Sequence, residues 1–138
     1  MSALNISHAF SATTPAGRYA PALRFIAAGK HSGIYAILDR RSRAVLYVGE
    51  SHSGRLYDTI TRHFRAWSIA RGADAQGRRR GGEMYDRASV AIAFTLTPAA
   101  LAQETQYAAI QALRPRDNAI DGCGSHPTAA CGVDDLPV

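Results

Sequence analysis

Residues Ser32–Ser51 read SGIYAILDRRSRAVLYVGES, and this stretch decides the fold. Two apolar runs within it, 33–39 and 44–49, flank the polar segment 40–43. Short apolar runs on either side of a polar turn predict a β-hairpin. A slip of one residue turns a strand side chain to the other face of a sheet. Tyr35 and Tyr47 therefore share a face only if the turn holds an odd number of unpaired residues, or if a bulge supplies the odd one.

The segments after the hairpin predict two helices and a third strand. A stripe at helical spacing predicts a helix over about 54–70. The stripe comprises Leu56, Ile60, His63, Phe64 and Trp67. Alternating apolar residues predict a strand over 88–95, and Thr97 followed by Pro98 predicts a capped helix that runs to about Leu113. The order β-β-α-β-α predicts an α+β fold, with a small three-stranded antiparallel sheet flanked by helices.

A chain of 138 residues has the length of one domain. We expect the domain to span 32–118, after an N-terminal arm (1–31) with room for a short helix, and before an irregular tail (119–138). Residues 71–83 predict a basic loop. No apolar run approaches the roughly 20 residues of a membrane span, and the N-terminus lacks the features of a secretory signal. We therefore expect a cytoplasmic protein without a membrane partner.

The charge of the chain is positive and depends almost wholly on arginine. Fifteen of its sixteen basic residues are arginine, and the formal net charge is +5. Arginine presents a planar fork of donors that fits phosphate oxygens, although a GC-rich genome also enriches arginine. Residues 54–87 contain eight arginines and four acids, and this clustering predicts a surface for a nucleic-acid backbone.

Gly33-Ile34-Tyr35 and Tyr47-Val48-Gly49 together resemble the signature of the GIY-YIG endonucleases, a superfamily of small metal-dependent DNA-cleaving domains. The segment Pro115–Asn118 is similar to the Pro-x-x-Asn end of that family, so the resemblance covers about 32–118. It implies hydrolysis of phosphodiester bonds in double-stranded DNA with Mg²⁺ or Mn²⁺ as the cofactor. With so little surface, we expect cleavage either to be weakly specific or to rely on a homodimer or a partner protein.

The resemblance also implies which residues form the site. Its catalytic residues would be Tyr35, Tyr47, Arg55, His63, Glu104 and Asn118. Glu104 would hold the metal, Tyr35 would orient or deprotonate the attacking water, and Arg55 would stabilise phosphoryl charge. The arginines expected to contact DNA are Arg55, Arg62, Arg65, Arg78, Arg79 and Arg80.

Two spacings depart from the family pattern. Arg55 lies farther from His63 than the family arginine does, so Arg62 is an alternative to it. The family glutamate corresponds to Gln106 in this chain rather than to Glu104, and Glu50 is a reserve acid. If Glu104 points into solvent on the side of the fold away from the tyrosines, DNA binding would be the only activity that remains. Two alternatives stay open: an inactive DNA-binding module with this fold, and a protein-interaction domain whose arginine loop docks on an acidic partner.

Overall fold

The computed structural model describes residues 4–65 and 84–118. Their strands and longer helices are β1 (Phe10–Ser11), α1 (Pro21–Ala27), β2 (Gly33–Asp39), β3 (Val45–Ser51), α2 (Leu56–Arg62), β4 (Val90–Leu96) and α3 (Ala102–Leu113). All four strands join one antiparallel sheet in the order β1-β4-β2-β3. The α+β class and the antiparallel sheet are confirmed. The expected number of three strands was wrong, because β1 adds a fourth.

The hairpin of β2 and β3 places both motif tyrosines on one face of the sheet. Tyr35 pairs with Gly49 and Ile37 pairs with Tyr47, and the register shifts between Ile37 and Leu38. This irregularity supplies the odd residue that the alternation of side chains requires. The condition for a shared tyrosine face is therefore met by a bulge.

The two faces of the sheet carry separate hydrophobic clusters. On the tyrosine face, α1 and α2 pack through Leu23, Ile26, Leu56 and Ile60, in one cluster with Tyr35. On the opposite face, α3 packs in a second hydrophobic cluster. Its buried residues include Ala36, Leu38, Val48, Ala91, Ala93 and Ile110. The sheet therefore separates α3 from the tyrosine face.

The N-terminal arm contributes to the sheet and to the core. β1 pairs with β4, with Phe10 opposite Ile92, and Ala12 is fully buried. The helix expected after Pro21 is present as α1. A two-residue strand has no period that can be read from a sequence, so β1 could not be predicted.

The helices differ from their expected bounds at the ends. α2 ends at Arg62, and His63 follows at its C-cap. The expected extension over Trp67, the loop 71–83 and the tail 119–138 lie outside the described residues. α3 begins after a 3₁₀ turn at Ala99–Leu101. No helix within the described part of the chain is both long and apolar enough to cross a lipid bilayer.

The segment after α3 covers the outer edge of β3. The backbone N–H groups of Arg116 and Asp117 donate to the carbonyls of Val45 and Leu46, at 3.1 and 2.8 Å. An uncovered strand edge is a template for unwanted pairing. This segment protects the edge and fixes residues 116–118 beside β3.

Candidate functional site

Two motif tyrosines, a histidine and a third tyrosine meet on the tyrosine face. The Tyr35 hydroxyl and His63 Nε2 form a buried hydrogen bond of 2.7 Å. The ring centroid of His63 lies 4.8 Å from that of Tyr47 and 5.8 Å from that of Tyr85. We call Tyr35, Tyr47, His63 and Tyr85 the tyrosine–histidine cluster. The structure thus brings together three of the residues that the sequence predicted.

Each member of the cluster is positioned by a different element. The strands β2 and β3 supply Tyr35 and Tyr47, and the end of α2 supplies His63, whose N–H donates to the Ile60 carbonyl at 3.2 Å. Tyr85 comes from the segment before β4, and its N–H donates to the His63 carbonyl at 2.9 Å. The backbone of His63 is therefore held by α2 through its N–H and by the segment before β4 through its carbonyl.

Burial determines the protonation of Tyr35. Its side chain has no exposed surface, and this desolvation raises its pKa well above the usual 10.0, with the nearby Tyr47 acting in the same direction. The positive charge of Arg62 lowers the pKa, but by less. Tyr35 is therefore a neutral phenol at neutral pH. A neutral phenol has one O–H to donate to an imidazole nitrogen that lacks a proton.

Tyr85 links the cluster to the edge segment. Its hydroxyl donates to Asp117 Oδ2 at 2.5 Å. Arg116 binds both oxygens of the same carboxylate, through Nε at 2.7 Å and Nη2 at 2.9 Å. Charge-assisted bonds of this kind are the strong ones. The sequence did not predict Tyr85 or Asp117 as site residues, and the one hint was the position of Asp117 inside the Pro-x-x-Asn motif.

Arg62, and not Arg55, is the arginine beside the cluster. Arg62 ends α2 next to His63, and its charge acts on Tyr35. Arg55 is the N-cap of the same helix, and seven residues at about 1.5 Å each separate the two positions by about 10 Å. The Arg55 side chain is 62% exposed and pairs with Asp58 at 3.7 Å. Arg65 also pairs with Asp58, at 3.6 Å.

The remaining arginines expected to contact DNA are Arg78, Arg79 and Arg80, which lie outside the described residues.

Glu104 does not join the cluster. Its helix α3 packs on the opposite face of the sheet, through Ala102, Gln106 and Ile110. Residues two positions apart on a helix point in directions about 200° apart. Glu104 lies two positions from both Ala102 and Gln106, so it points away from the buried side, and it is exposed. Among residues 4–65 and 84–118, no group of three His, Cys, Asp or Glu side chains could hold a metal ion. Glu104 therefore does not fit the metal ligand that the resemblance implies.

Asn118 has a structural position at the edge of β3. Its Oδ1 accepts from Val48 N at 2.7 Å, and its Nδ2 donates to Val48 O at 2.9 Å. Gln106 Nε2 also donates to Val48 O, at 3.4 Å. These amides hold the strand residue that follows Tyr47, so Asn118 acts on the site through the backbone of β3.

Glu50 directly follows the second motif in the sequence. Its residue is 3% exposed, and both of its oxygens lie near Nδ1 of His52, at 2.9 and 3.0 Å. Its negative charge raises the pKa of Tyr35. By the alternation of side chains along β3, Glu50 lies on the same face as Val48, where α3 packs, and not on the tyrosine face.

Comparisons with known proteins add no relative. No family model matches the chain, and no curated protein and no solved structure matches it.

Proposed function

We propose that this chain is a metal-dependent endonuclease that hydrolyses phosphodiester bonds in double-stranded DNA. The observation that carries the proposal is the 2.7 Å hydrogen bond between the Tyr35 hydroxyl and His63 Nε2. It joins the first motif tyrosine to the histidine that lies against the second, Tyr47. Arg62 adds a positive charge to the same place. These are groups that phosphoryl transfer requires: a proton acceptor, an orienting donor and a cation for phosphoryl charge.

The roles of the residues follow from their protonation and position. An imidazole is the usual proton acceptor near neutral pH, so His63 Nε2 takes the proton of the Tyr35 hydroxyl while that hydroxyl takes a proton from the water that attacks phosphorus. As water oxygen bonds to phosphorus, the bond to the departing oxygen breaks, and that oxygen gains a proton from solvent. Tyr35 stays neutral and keeps the imidazole oriented. A bound Mg²⁺ or Mn²⁺ would supply polarisation of the phosphoryl group.

The cluster is closed to solvent in this structure. Tyr35 has no exposed surface, and His63 is 3% exposed. A phosphate can reach His63 only after neighbouring side chains move, and Tyr85 is the member of the cluster that is partly exposed. This proposal therefore includes a side-chain rearrangement when DNA binds.

A second candidate is a DNA-binding module that does not cleave. Two observations favour it: the exposed position of Glu104 and the complete burial of Tyr35. This module would use the same arginines on the phosphate backbone. It differs from the first candidate in one measurable respect, because no metal would induce hydrolysis.

A plasmid assay tests the proposal and separates the candidates. We expect the full chain to convert supercoiled plasmid to nicked circles with Mg²⁺ or Mn²⁺. We expect this nicking to stop when the metal is chelated. Retention on DNA that weakens with salt, without nicking at any metal concentration, would favour the binding module instead. Elution from a DNA column already at low salt, together with capture of an acidic protein, would support the protein-interaction alternative.

Arg62→Ala is expected to weaken DNA binding equally for all sequences. Each phosphate contact that is lost should reduce the slope of log affinity against log salt by about 1. Fluorescence anisotropy with duplexes of unrelated sequence, measured over a range of salt, gives this slope. The matched control is Arg114→Ala, because Arg114 is exposed at the end of α3. An unchanged slope for Arg62→Ala would remove this residue from the DNA surface.

A further inference from the structure

We propose that four arginines at the hairpin end of the sheet bind phosphates of the DNA duplex beside the tyrosine–histidine cluster. We call Arg40, Arg41, Arg43 and Arg87 the hairpin-end arginines. None of them is among the arginines that the sequence predicted to contact DNA, where the segment 40–43 predicted only a turn. This inference rests on the proposed function and adds to it the surface that holds the DNA backbone.

The hairpin-end arginines come from two segments that meet at one end of the sheet. Three of them lie in the turn between β2 and β3, and Arg87 begins the 3₁₀ turn that precedes β4. The two segments are in direct contact, because the N–H of Arg40 donates to the carbonyl of Ser89 at 3.0 Å. All four arginines are exposed. They therefore form one continuous positive surface.

The two acids beside these arginines, Asp39 and Asp86, are occupied by groups of their own turns. The Asp39 carboxylate accepts the N–H groups of Arg41 and Ser42, at 3.2 and 2.8 Å. Asp86 accepts the N–H of Ala88 at 3.1 Å. Within the described part of the chain, no ion pair involves a hairpin-end arginine. An exposed set of unpaired cations attracts a polyanion such as a phosphate backbone.

Arg43 occupies a backbone position that normally favours glycine. Its φ is 65°, and hairpin loops usually place glycine or asparagine in this left-handed region. The N–H of Arg43 donates to the Asp39 carbonyl at 2.9 Å, so the turn closes around it. Its guanidinium makes a long hydrogen bond of 3.4 Å to the Ala9 carbonyl, which leaves most of its five donors for a partner. The turn thus gives up backbone stability and gains an exposed cation.

Arg87 connects the positive surface to the tyrosine face. Its guanidinium lies over the ring of Tyr19, 5.2 Å from the centroid, and Tyr19 packs against the core of that face. Arg40 follows Ile37, the partner of Tyr47, by three residues, which is about 10 Å along a strand. One strand of DNA rises about 3.4 Å per nucleotide. A duplex with one phosphate at the cluster would therefore reach the hairpin-end arginines about three base pairs away.

Fluorescence anisotropy of the full chain with a DNA duplex, measured over a range of salt, tests the inference. Arg43→Gly should reduce the slope of log affinity against log salt by about 1, because one phosphate contact is lost. The triple variant Arg40→Ala/Arg41→Ala/Arg43→Gly should reduce it by about 3. An unchanged slope in the triple variant would overturn the inference.

Lys30→Ala is the matched control for Arg43→Gly. It removes the same charge from an exposed residue just before β2, and the seven residues of β2 place it about 20 Å from the hairpin turn. We expect the slope of this control to equal that of the wild type. An equal loss in the two variants would show attraction to the net charge of the chain and would overturn a localised surface.

Urea unfolding separates weaker binding from a damaged fold. Glycine adopts a positive φ without steric cost, so the urea midpoint of Arg43→Gly should not fall below that of the wild type. Weaker DNA binding by this variant then reports the lost cation. Polyglutamate is the probe for an acidic protein partner. A triple variant that keeps its DNA slope but no longer binds polyglutamate would overturn the inference in favour of the protein-interaction alternative.

Plasmid nicking separates this inference from the proposed function. We expect the triple variant to need more DNA for half-maximal nicking but to reach the wild-type rate at saturating DNA, as for a loss of uniform binding. Nicking at an unchanged DNA requirement contradicts the role of the hairpin-end arginines alone. A wild type that never nicks, together with a reduced slope in the triple variant, supports this surface and contradicts the nuclease proposal alone.

Discussion

Gly33→Ala and Gly49→Ala are each expected to destabilise the domain by about 3 kcal/mol, the upper end of the usual cost of overpacking a core. Both glycines belong to the motifs that define the resemblance. In each case the space for a methyl group is already filled, although by different atoms.

At Gly33 the obstacle is the backbone of the neighbouring strand. A Cβ at this position would lie 2.2 Å from the carbonyl oxygen of Thr95 and 3.1 Å from the Cα of Leu96. Both atoms belong to β4, which is paired with β2 along its whole length. Relief would require a shift of a central strand, so the clash cannot be removed by turning a side chain.

At Gly49 the obstacle is the Tyr35 phenol. A Cβ there would lie 2.3 Å from its hydroxyl oxygen and 2.4 Å from Cζ. The ring lies over Gly49 because the two residues are directly opposite in the sheet. Alanine would push the ring away from His63, so Gly49→Ala should also break the Tyr35–His63 hydrogen bond.

Urea denaturation followed by circular dichroism measures both losses. Gly29→Ala is the matched control, since the closest atom to a Cβ at Gly29 is the mobile end of the His31 side chain, at 3.2 Å. We expect this control to change stability by less than about 1 kcal/mol. If the urea midpoint of Gly33→Ala or Gly49→Ala equalled that of the control, the close approach at that glycine would be absent in solution.

The hairpin could be predicted because its signal is local, whereas the shared tyrosine face was expected only on the condition that one odd residue is present. Alternation within 33–39 and 44–49 fixes which side chains face together, and the polar turn fixes where the chain reverses. The presence of an odd residue stayed open, and so did its origin, because a bulge and an odd turn have the same effect on alternation. The structure shows the bulge, between Ile37 and Leu38.

Glu104 lies where the helical period, and not the family motif, would place it: on the exposed side of α3. Ala102, Gln106 and Ile110 are four residues apart and form the buried side of α3. That spacing was readable in the sequence, and it already placed Glu104 about 200° from Gln106. The contact between Tyr85 and Asp117, 32 residues apart, has no such local signal. It exists only because the chain after α3 returns along β3.

Tyr35→Phe is expected to reduce DNA cleavage by about 100-fold or more, the range associated with loss of a positioned proton-transfer partner. The variant keeps the ring in place but removes the O–H that bonds to His63 Nε2 at 2.7 Å. Tyr57→Phe is the control, because Tyr57 lies on α2 and meets the ring of Tyr19 rather than His63. Rates of plasmid nicking at constant metal concentration give the comparison, and we expect the control to cleave at the wild-type rate.

Tyr35→Phe is also expected to change the stability of the fold, and this change can be measured without a cleavage assay. At neutral pH, an unsatisfied buried nitrogen on His63 should cost about 1–3 kcal/mol. Burial raises the pKa of Tyr35 in the folded chain above its usual 10.0, so only the unfolded chain releases this proton just above pH 10. Wild-type stability should therefore fall as the pH rises beyond 10, and the advantage of the wild type over Tyr35→Phe should shrink there.

Urea unfolding at a series of pH values between 7 and 11 measures that advantage. A constant difference between the two proteins across this range would mean that Tyr35 ionises as readily in the folded chain as in the unfolded one. The phenol would then be accessible to water, and its role as a neutral donor to His63 would be lost. If Tyr35→Phe cleaved DNA at the wild-type rate, while the stability difference between the two proteins shrank above pH 10 as expected, the buried pair would stabilise the fold and hydrolysis would take place elsewhere on the protein.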